Sequence, residues 1–560
     1  MLRFRPPGPT VPPRTGPSRD TPGFRLGPWR RLVMFLAVAT VTAATAILSP
    51  LSPAVAGASG ESAATGPQDL TTALAAIENH SRFDHATWGY QVLDQKTGKV
   101  LASQNAQSMF DPGSTMKIYS TATALRLYGP NYRFTTPAYR QGTMNGSTLN
   151  GNLVLVGSGD LSLGLRDKPN GTLFYENLPH LDESYANIGL PGAIEPPGNP
   201  FTGLNQIAAG VRSSGITQVN GNVVVDDRLF TPYNGFPDGL ITPIWVNENL
   251  IDAEVSPGSV GQAASVTWRP MTAAYTVADQ VMTVSAKEST SVQIIEPTPG
   301  NLVVTGQIAV GTAPTLVDHQ VDDPASFARI AFIQALQQAG VSVTASSTGP
   351  NPEALLPPVA SYQPSDMVGK YVSLPLSQFI NLILKVSYNR GADIMTCLAA
   401  VKLGSTNCQQ GLTAELATVT KLGIPSVGVF PFDGAGSDDQ GRTTPAAMTT
   451  FLRRATTSSY GRSLFDALPV LGRNGTLANV LTKAPVAGHA QLKTGNRAVG
   501  SPTNQVMLLG NSLAGYVETK SGRHVTVMVA VGNVPATSSS IVLLVTDQQA
   551  QMVAAIHNDL

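Results

Sequence analysis

The chain has 560 residues, 42% of them hydrophobic and 13% charged, with 53 Gly, 42 Pro and two Cys. At roughly 100–200 residues per domain that length allows several domains with a real core, while the low charge excludes a long disordered chain and two cysteines exclude a disulfide-framework scaffold. Basic and acidic side chains balance at 36 each, yet Arg3, Arg5, Arg14, Arg19, Arg25, Arg30 and Arg31 face only Asp20 in the first 56 residues, and the 29 basic and 35 acidic groups left beyond them, a net of −6, exclude a nucleic-acid footprint.

In chain order, residues 1–56 read as an export signal. An Arg- and Pro-rich stretch precedes the apolar run Leu32–Leu48, and Ala54-Val55-Ala56 supplies small residues at a cleavage spacing. A retained signal anchor is the alternative, and membrane association follows only in that case. Both readings put everything after Ala56 outside the cytoplasmic membrane. Residues 57–70 read as a linker, followed by the helical TTALAAIEN and by two strands around the turn Lys96-Thr97-Gly98. Past Phe110 the segment DPGS breaks the pattern, and Ile118, Ala122 and Leu125 mark one apolar face of a helix.

Between about Pro130 and Pro364 the texture turns rich in Gly, Pro, Asn and Thr, with short β-type runs such as GNLVLV, GNVVVDD, ASVTW and NLVVTGQIAV. Helical patterns return at FARIAFIQALQQAG and SLPLSQFINLILKV, then come the strand HVTVMVAVGN and a closing helix. No repeat of fixed period is present. The expected organisation is an α/β catalytic domain over 71–165 and 361–560, split by β-rich inserted domains over 166–360. Cys397 and Cys408 form either a local bridge or two buried thiols. The seven histidines are scattered, without metal-ligand spacing, so no metal site is expected.

Three short motifs carry chemistry. Ser114-Thr115-Met116-Lys117 is S-x-x-K at the start of a predicted helix, where residues three apart share a face. A desolvated lysine there can lose its proton and activate the serine hydroxyl; the bland alternative is a capping serine and a solvated lysine. Ser387-Tyr388-Asn389 is S-x-N, a hydroxyl and an amide that can converge on one cleft, or else a turn that satisfies its own polar groups. Lys493-Thr494-Gly495, inside AQLKTGN, suits an edge strand that binds a carboxylate and lets a substrate backbone come close. Ser103-Gln104-Asn105 and Lys96-Thr97-Gly98 repeat two of these patterns, but the second lies in a predicted hairpin turn upstream of Ser114.

In this order the three motifs resemble the active-site set of the penicillin-recognising serine enzymes. Ser114 and Ser387 stand 273 residues apart, and Asn389 and Lys493 are separated by 104. With FDPGSTMKIYSTATAL, LVGSGDLSL, VNGNVVVDDRLF, NENLIDAEVSPGSVG and GNSLAGYVETKSGRHVTVMVAVGN, the chain over about 70–560 resembles the low-molecular-mass class C penicillin-binding proteins, the D-alanyl-D-alanine carboxypeptidase/endopeptidases. The resemblance implies an α/β (α+β) transpeptidase fold of the penicillin-binding-protein/β-lactamase type, split by one or two small inserted domains. It implies Ser114 as nucleophile on peptidoglycan stem peptides, Lys117 as base, and Ser387 as proton relay. It further implies that Asn389 orients the acyl group, that Lys493 and Thr494 hold the terminal carboxylate beside Gly495, and that Asn496 lends a backbone N–H to the oxyanion. β-Lactams become covalent inhibitors, and no metal or organic cofactor is called for.

Three departures stand out. Asn496 replaces the second hydroxyl residue after K-T-G. Asp433-Gly434-Ala435-Gly436-Ser437-Asp438 stands for D-G-S-G-L-S, and Asn389-Arg390-Gly391-Ala392-Asp393 for N-L-x-A-E. They bear on substrate preference and rate more than on reaction type. The competing readings are a β-lactamase or esterase on the same fold, and a wall-binding protein with weak turnover. No G-x-S-x-G elbow supports an α/β-hydrolase.

Overall fold

A computed structural model describes residues 70–177, 192–235 and 239–560. The expected leader over 1–56, with its apolar run, lies outside the described residues, as does the linker up to residue 69. Among the described residues no helix is long and apolar enough to cross a membrane.

The first sheet joins the two ends of the described chain. Its strands run in the order Ala490–Gly500, Val506–Glu518, His524–Gly532, Thr87–Asp94 and Val100–Gln104, all antiparallel. Side chains alternate between faces along a strand, so Val527, Val529 and Val531 pack under the helices Leu70–Glu78 and Ile541–Asp559, against Leu74, Val553 and Ile556. Met528 and Ala530 face the other way, into the core of helices Lys117–Tyr128, Leu376–Val386, Asn389–Lys402 and Pro445–Ala455. A strand covered on both faces reads as an unbroken apolar run, which is what HVTVMVAVG is. Cys397 and Cys408 are bonded, tying Asn389–Lys402 to the start of the Gln410–Lys421 helix.

A second body is built on the sheet Ser342–Val343, Gln218–Asn220, Thr148–Val156, Arg133–Asn145, Met367–Pro375, with Val223–Asp226 parallel to Thr148–Val156. Helices Thr202–Ser213 and Pro324–Gln338 cover it through Ile207, Val211, Phe332 and Leu336. The sheet reaches beyond residues 166–360 on both sides. Arg133–Asn145 leaves the helical body and Met367–Pro375 returns to it, paired antiparallel at Thr136↔Tyr371. A third, smaller body consists of two three-stranded sheets around Val255, Val281, Val304, Ile308 and Val317. There the fold brings together Glu296, His319 and Asp322, whose ligand-type atoms lie within 4.8 Å. Sequence spacing does not reveal this group; His319 Nε2 meets Glu296 at 3.5 Å as an imidazole–carboxylate contact.

The two motif repeats have other duties: Lys96-Thr97-Gly98 is a hairpin turn, and Ser103-Gln104-Asn105 is the end of the strand Val100–Gln104 with the bend that follows it. Asp94 Oδ1 accepts from Thr97 N at 2.7 Å and from its hydroxyl at 2.8 Å, Gly98 takes φ +75°, and Lys96 is exposed. Asn105, at φ +46°, donates its amide to Trp88 O at 2.8 Å, with Ser103 and Gln104 exposed beside it.

Candidate active site

Ser114 lies one turn earlier than a place inside the α-helix would require. Gly113–Met116 form a 3-10 turn, and the α-helix begins at Lys117. The cause is local: Gly113 takes φ +48°, and the Pro112 carbonyl accepts from Thr115 N at 3.2 Å, Thr115 Oγ1 at 2.8 Å and Ser512 Oγ at 2.6 Å. Side chains three apart eclipse in a 3-10 coil, which serves the motif well. Lys117 Nζ stands 2.7 Å from Ser114 Oγ. Within Asp111–Ser120, Ser114 is the residue that is not buried.

Lys117 is fully buried and also donates to Asn389 Oδ1 at 2.5 Å and to Ala435 O at 2.8 Å. Asn389 starts its helix after the capping residue Tyr388, and Ser387 ends the preceding helix in the left-handed region at φ +67°, ψ +36°. That sharp corner, rather than a strand, turns hydroxyl and amide into the same cleft. Lys493 reaches the cleft from the edge strand Ala490–Gly500, donating to Ser387 Oγ at 2.9 Å and to Thr494 O at 2.7 Å. Burial, and after it the Lys117 charge, holds the Lys493 ammonium well below the ordinary lysine range. Thr494 Oγ1 donates to Thr476 Oγ1 at 3.0 Å.

Two glycines let the strand touch the nucleophile turn. A Cβ on Gly495 would lie 2.1 Å from Pro112 O, and one on Gly113 would lie 2.5 Å from Asn496 N. The Asn496 N–H is therefore held beside the turn that carries Ser114, while the Asn496 side chain is exposed. The structure brings together all eight residues singled out from the sequence, Ser114, Lys117, Ser387, Asn389, Lys493, Thr494, Gly495 and Asn496, through the lysine contacts and the close approach of the strand to the turn.

The profile of the D-Ala-D-Ala carboxypeptidase 3 (S13) family matches residues 70–554. The chain belongs to that family. It is, by that membership, a serine-type D-Ala-D-Ala carboxypeptidase of the class C penicillin-binding type. A D-alanyl-D-alanine carboxypeptidase of Actinomadura sp. is 24% identical over 511 residues, covering 87% of this chain and 84% of its own. The D-alanyl-D-alanine carboxypeptidase DacB of Haemophilus influenzae is 20% identical over 433 residues, 73% and 79% of the two chains. Among solved structures, penicillin-binding protein 4 of Haemophilus influenzae has the same fold, with TM-score 0.64 at 17% identity, over 86% of this chain and 98% of its own. The same protein complexed with a β-lactam aligns with TM-score 0.62.

Within this S13 chain the departures from the family pattern are accommodated by backbone geometry. Asp433 accepts from the backbone N–H groups of Gly436, Ser437 (2.9 Å) and Asp438 (2.7 Å), which curls the loop so that the Ala435 carbonyl meets Lys117. Gly436 takes φ +72°, and a Cβ there would strike Gly113 O at 2.0 Å. Asp433, Gly434 and Gly436 are residues the loop geometry uses, a Cβ on Gly434 meeting Ala392 O at 2.7 Å, and all three are retained. Asp393 accepts from Gly434 N at 3.1 Å, so the altered 389–393 stretch still braces the same loop. Sequence reasoning named Ala435 only as a departure and missed its carbonyl contact with Lys117, and it missed Thr476, because a backbone carbonyl and an isolated threonine leave no pattern. It also missed Ser512, whose hydroxyl holds the Pro112 carbonyl.

Proposed function

We propose that this protein is an exported serine D,D-peptidase that cleaves the D-Ala-D-Ala bond, or the D-Ala cross-link, of peptidoglycan stem peptides through a Ser114 acyl-enzyme. The observation that carries the reading is the paired contact of two buried lysines with two serines, Lys117 with Ser114 and Lys493 with Ser387. Lys117 takes the Ser114 proton as Oγ attacks the carbonyl carbon between the two D-alanines. The oxyanion that forms is received by the N–H groups of Ser114 and Asn496, each such donor contributing about 2.7–4 kcal/mol in comparable sites.

The C–N bond then breaks, and the leaving D-alanine nitrogen takes a proton from Ser387. Lys493, a poor holder of its own proton in this site, is suited to resupply that hydroxyl and in turn receives the proton that Lys117 took from Ser114, which leaves Lys117 able to act as base again. Asn389 orients the acyl chain, while Lys493 and Thr494 hold the terminal carboxylate. Water attacks the acyl carbon, gives a proton to Lys117, and Ser114 departs with a proton restored. A penicillin, whose carboxylate follows its amide carbonyl as D-alanine's does, enters by the same contacts; the β-lactam complex of the Haemophilus influenzae fold relative supports this. Export is supported by the 1–56 segment, by the Cys397–Cys408 bond, which persists in oxidising compartments, and by the location of peptidoglycan itself.

The test is covalent labelling of the chain from Gly57 onward with a fluorescent penicillin, beside Ser114→Ala. A stable adduct on the native protein and none on the variant is expected, followed by D-alanine release from stem peptides. Rapid loss of free penicillin would point instead to a β-lactamase, and folded native protein with no adduct would leave a binding protein.

A further inference from the structure

The S-x-N corner is anchored from the inserted region. Asn247, Glu248 and Asn249 are three consecutive non-glycine residues in the left-handed region, at φ +50°, +53° and +55°. Asparagine tolerates that region; glutamate does so rarely. The turn is fully buried and held by its own amides. Asn249 Oδ1 accepts from Val246 N at 3.1 Å, and Asn247 Nδ2 donates to Leu250 O at 2.9 Å and to Asp252 Oδ2 at 2.8 Å. The effect is to turn the Glu248 carboxylate away from its own strand and into the junction with the helical body.

There Arg166 grips it through Nε at 2.5 Å and Nη2 at 3.2 Å, in a pair wholly out of solvent. Tyr388, the middle residue of S-x-N, donates its hydroxyl to Glu248 Oε2 at 2.9 Å. Arg390 donates to the Glu248 backbone carbonyl at 2.8 Å and stacks on the rings of Tyr388 and Trp245, 5.6 Å from each centroid. The residues on either side of Tyr388 are Ser387, on Lys493 Nζ, and Asn389, on Lys117 Nζ. A backbone as tightly turned as Ser387's, at φ +67°, persists only where its surroundings hold it.

We propose that Glu248 is a positioning residue of the catalytic cleft: through Tyr388 it sets where Ser387 and Asn389 stand, so the inserted region completes the active site. The inference rests on the acyl-enzyme reading above. It assigns the inserted region a part in the chemistry in addition to any part in wall binding.

The test measures acylation of the folded protein by a fluorescent penicillin, separating the non-covalent dissociation constant from the acylation rate constant. Tyr388→Phe removes one hydroxyl and leaves the Arg166–Glu248 pair intact; Glu248→Gln keeps the shape and drops the charge. Both are expected to lower the acylation rate constant about tenfold or more with the dissociation constant little changed, since small misplacements at a reacting centre act on the rate. Val255→Ala, in the third body's core and away from the corner, controls for destabilisation: it lowers Tm and leaves acylation per folded molecule unchanged. Should Glu248→Gln fail to fold, Tyr388→Phe decides alone. Tyr388→Phe acylated at the native rate overturns the inference, whatever its Tm. If the native protein takes no label, the acyl-enzyme reading is what fails. The positioning claim is then judged by a crystal structure of Tyr388→Phe, where Asn389 Oδ1 still on Lys117 overturns it and its departure supports it.

Discussion

Replacing Gly495 by alanine tests whether the contact between the K-T-G strand and the nucleophile turn sets the reacting geometry. The backbone of Gly495 is extended, so alanine brings no conformational strain; the whole effect is steric. The new methyl would lie 2.1 Å from Pro112 O, 2.7 Å from Ser512 Oγ and 2.8 Å from Thr115 N. Carbon–oxygen contacts of this kind settle near ~3.3 Å, so strand and turn must part by about 1 Å. Two of the three obstructing atoms are backbone, and the Pro112 carbonyl is already engaged by Thr115 and Ser512. No flexible side chain can absorb the shift.

The Asn496 N–H moves with the strand and Ser114 with the turn, so the oxyanion site opens by the same amount. A displacement of that size costs on the order of 100-fold in rate, about 2.7 kcal/mol, while overpacking costs about 1–3 kcal/mol of stability. The assay is the second-order rate constant for penicillin acylation, with a thermal melt alongside. Gly495→Ala acylated within a few-fold of the native rate would refute the argument that this approach is tight.

Two further substitutions separate function from stability. Lys493→Met is expected to abolish acylation while leaving Tm equal or higher. With its folded-state pKa depressed below 10.5, Lys493 makes the unfolded chain the better proton binder, so its contribution to stability rises with pH towards 10.5 and is lost as pH falls; urea melts at two pH values should show that rise in the native protein and not in the variant. Glu415, buried and accepting from Thr396 at 2.7 Å, is pushed by burial up to about 8 from 4.5. Its folded-state protonation favours the native state below pH 4.5 and that advantage disappears as pH rises through about 8, so Glu415→Gln should flatten the stability profile and exceed the native protein by a few kcal/mol at pH 9. A native-like profile in the variant would contradict the burial argument.

Local physics was legible along the chain. The hairpin at Lys96–Gly98, the helix through Ile118, Ala122 and Leu125, the doubly covered strand at His524–Gly532 and the edge strand bearing K-T-G each follow from a pattern a few residues long. So did the candidate site residues, because a serine and a lysine three apart must share a face whichever helical coil they adopt. The passage of the second sheet across both expected boundaries was not legible, since Thr136 and Tyr371 pair over a separation no short window spans.

What the amino-acid sequence determined by itself is the inventory: which side chains can give, take or hold a proton, and in what order they come. Their assembly belongs to the tertiary structure alone. Lys117 meets Asn389 across 272 positions and Ala435 across 318, and Tyr388 meets Glu248 across 140. The reason is burial. A lysine three residues from a serine becomes a base only when distant segments exclude water from it, and that exclusion is a property of packing between elements that no one of them encodes.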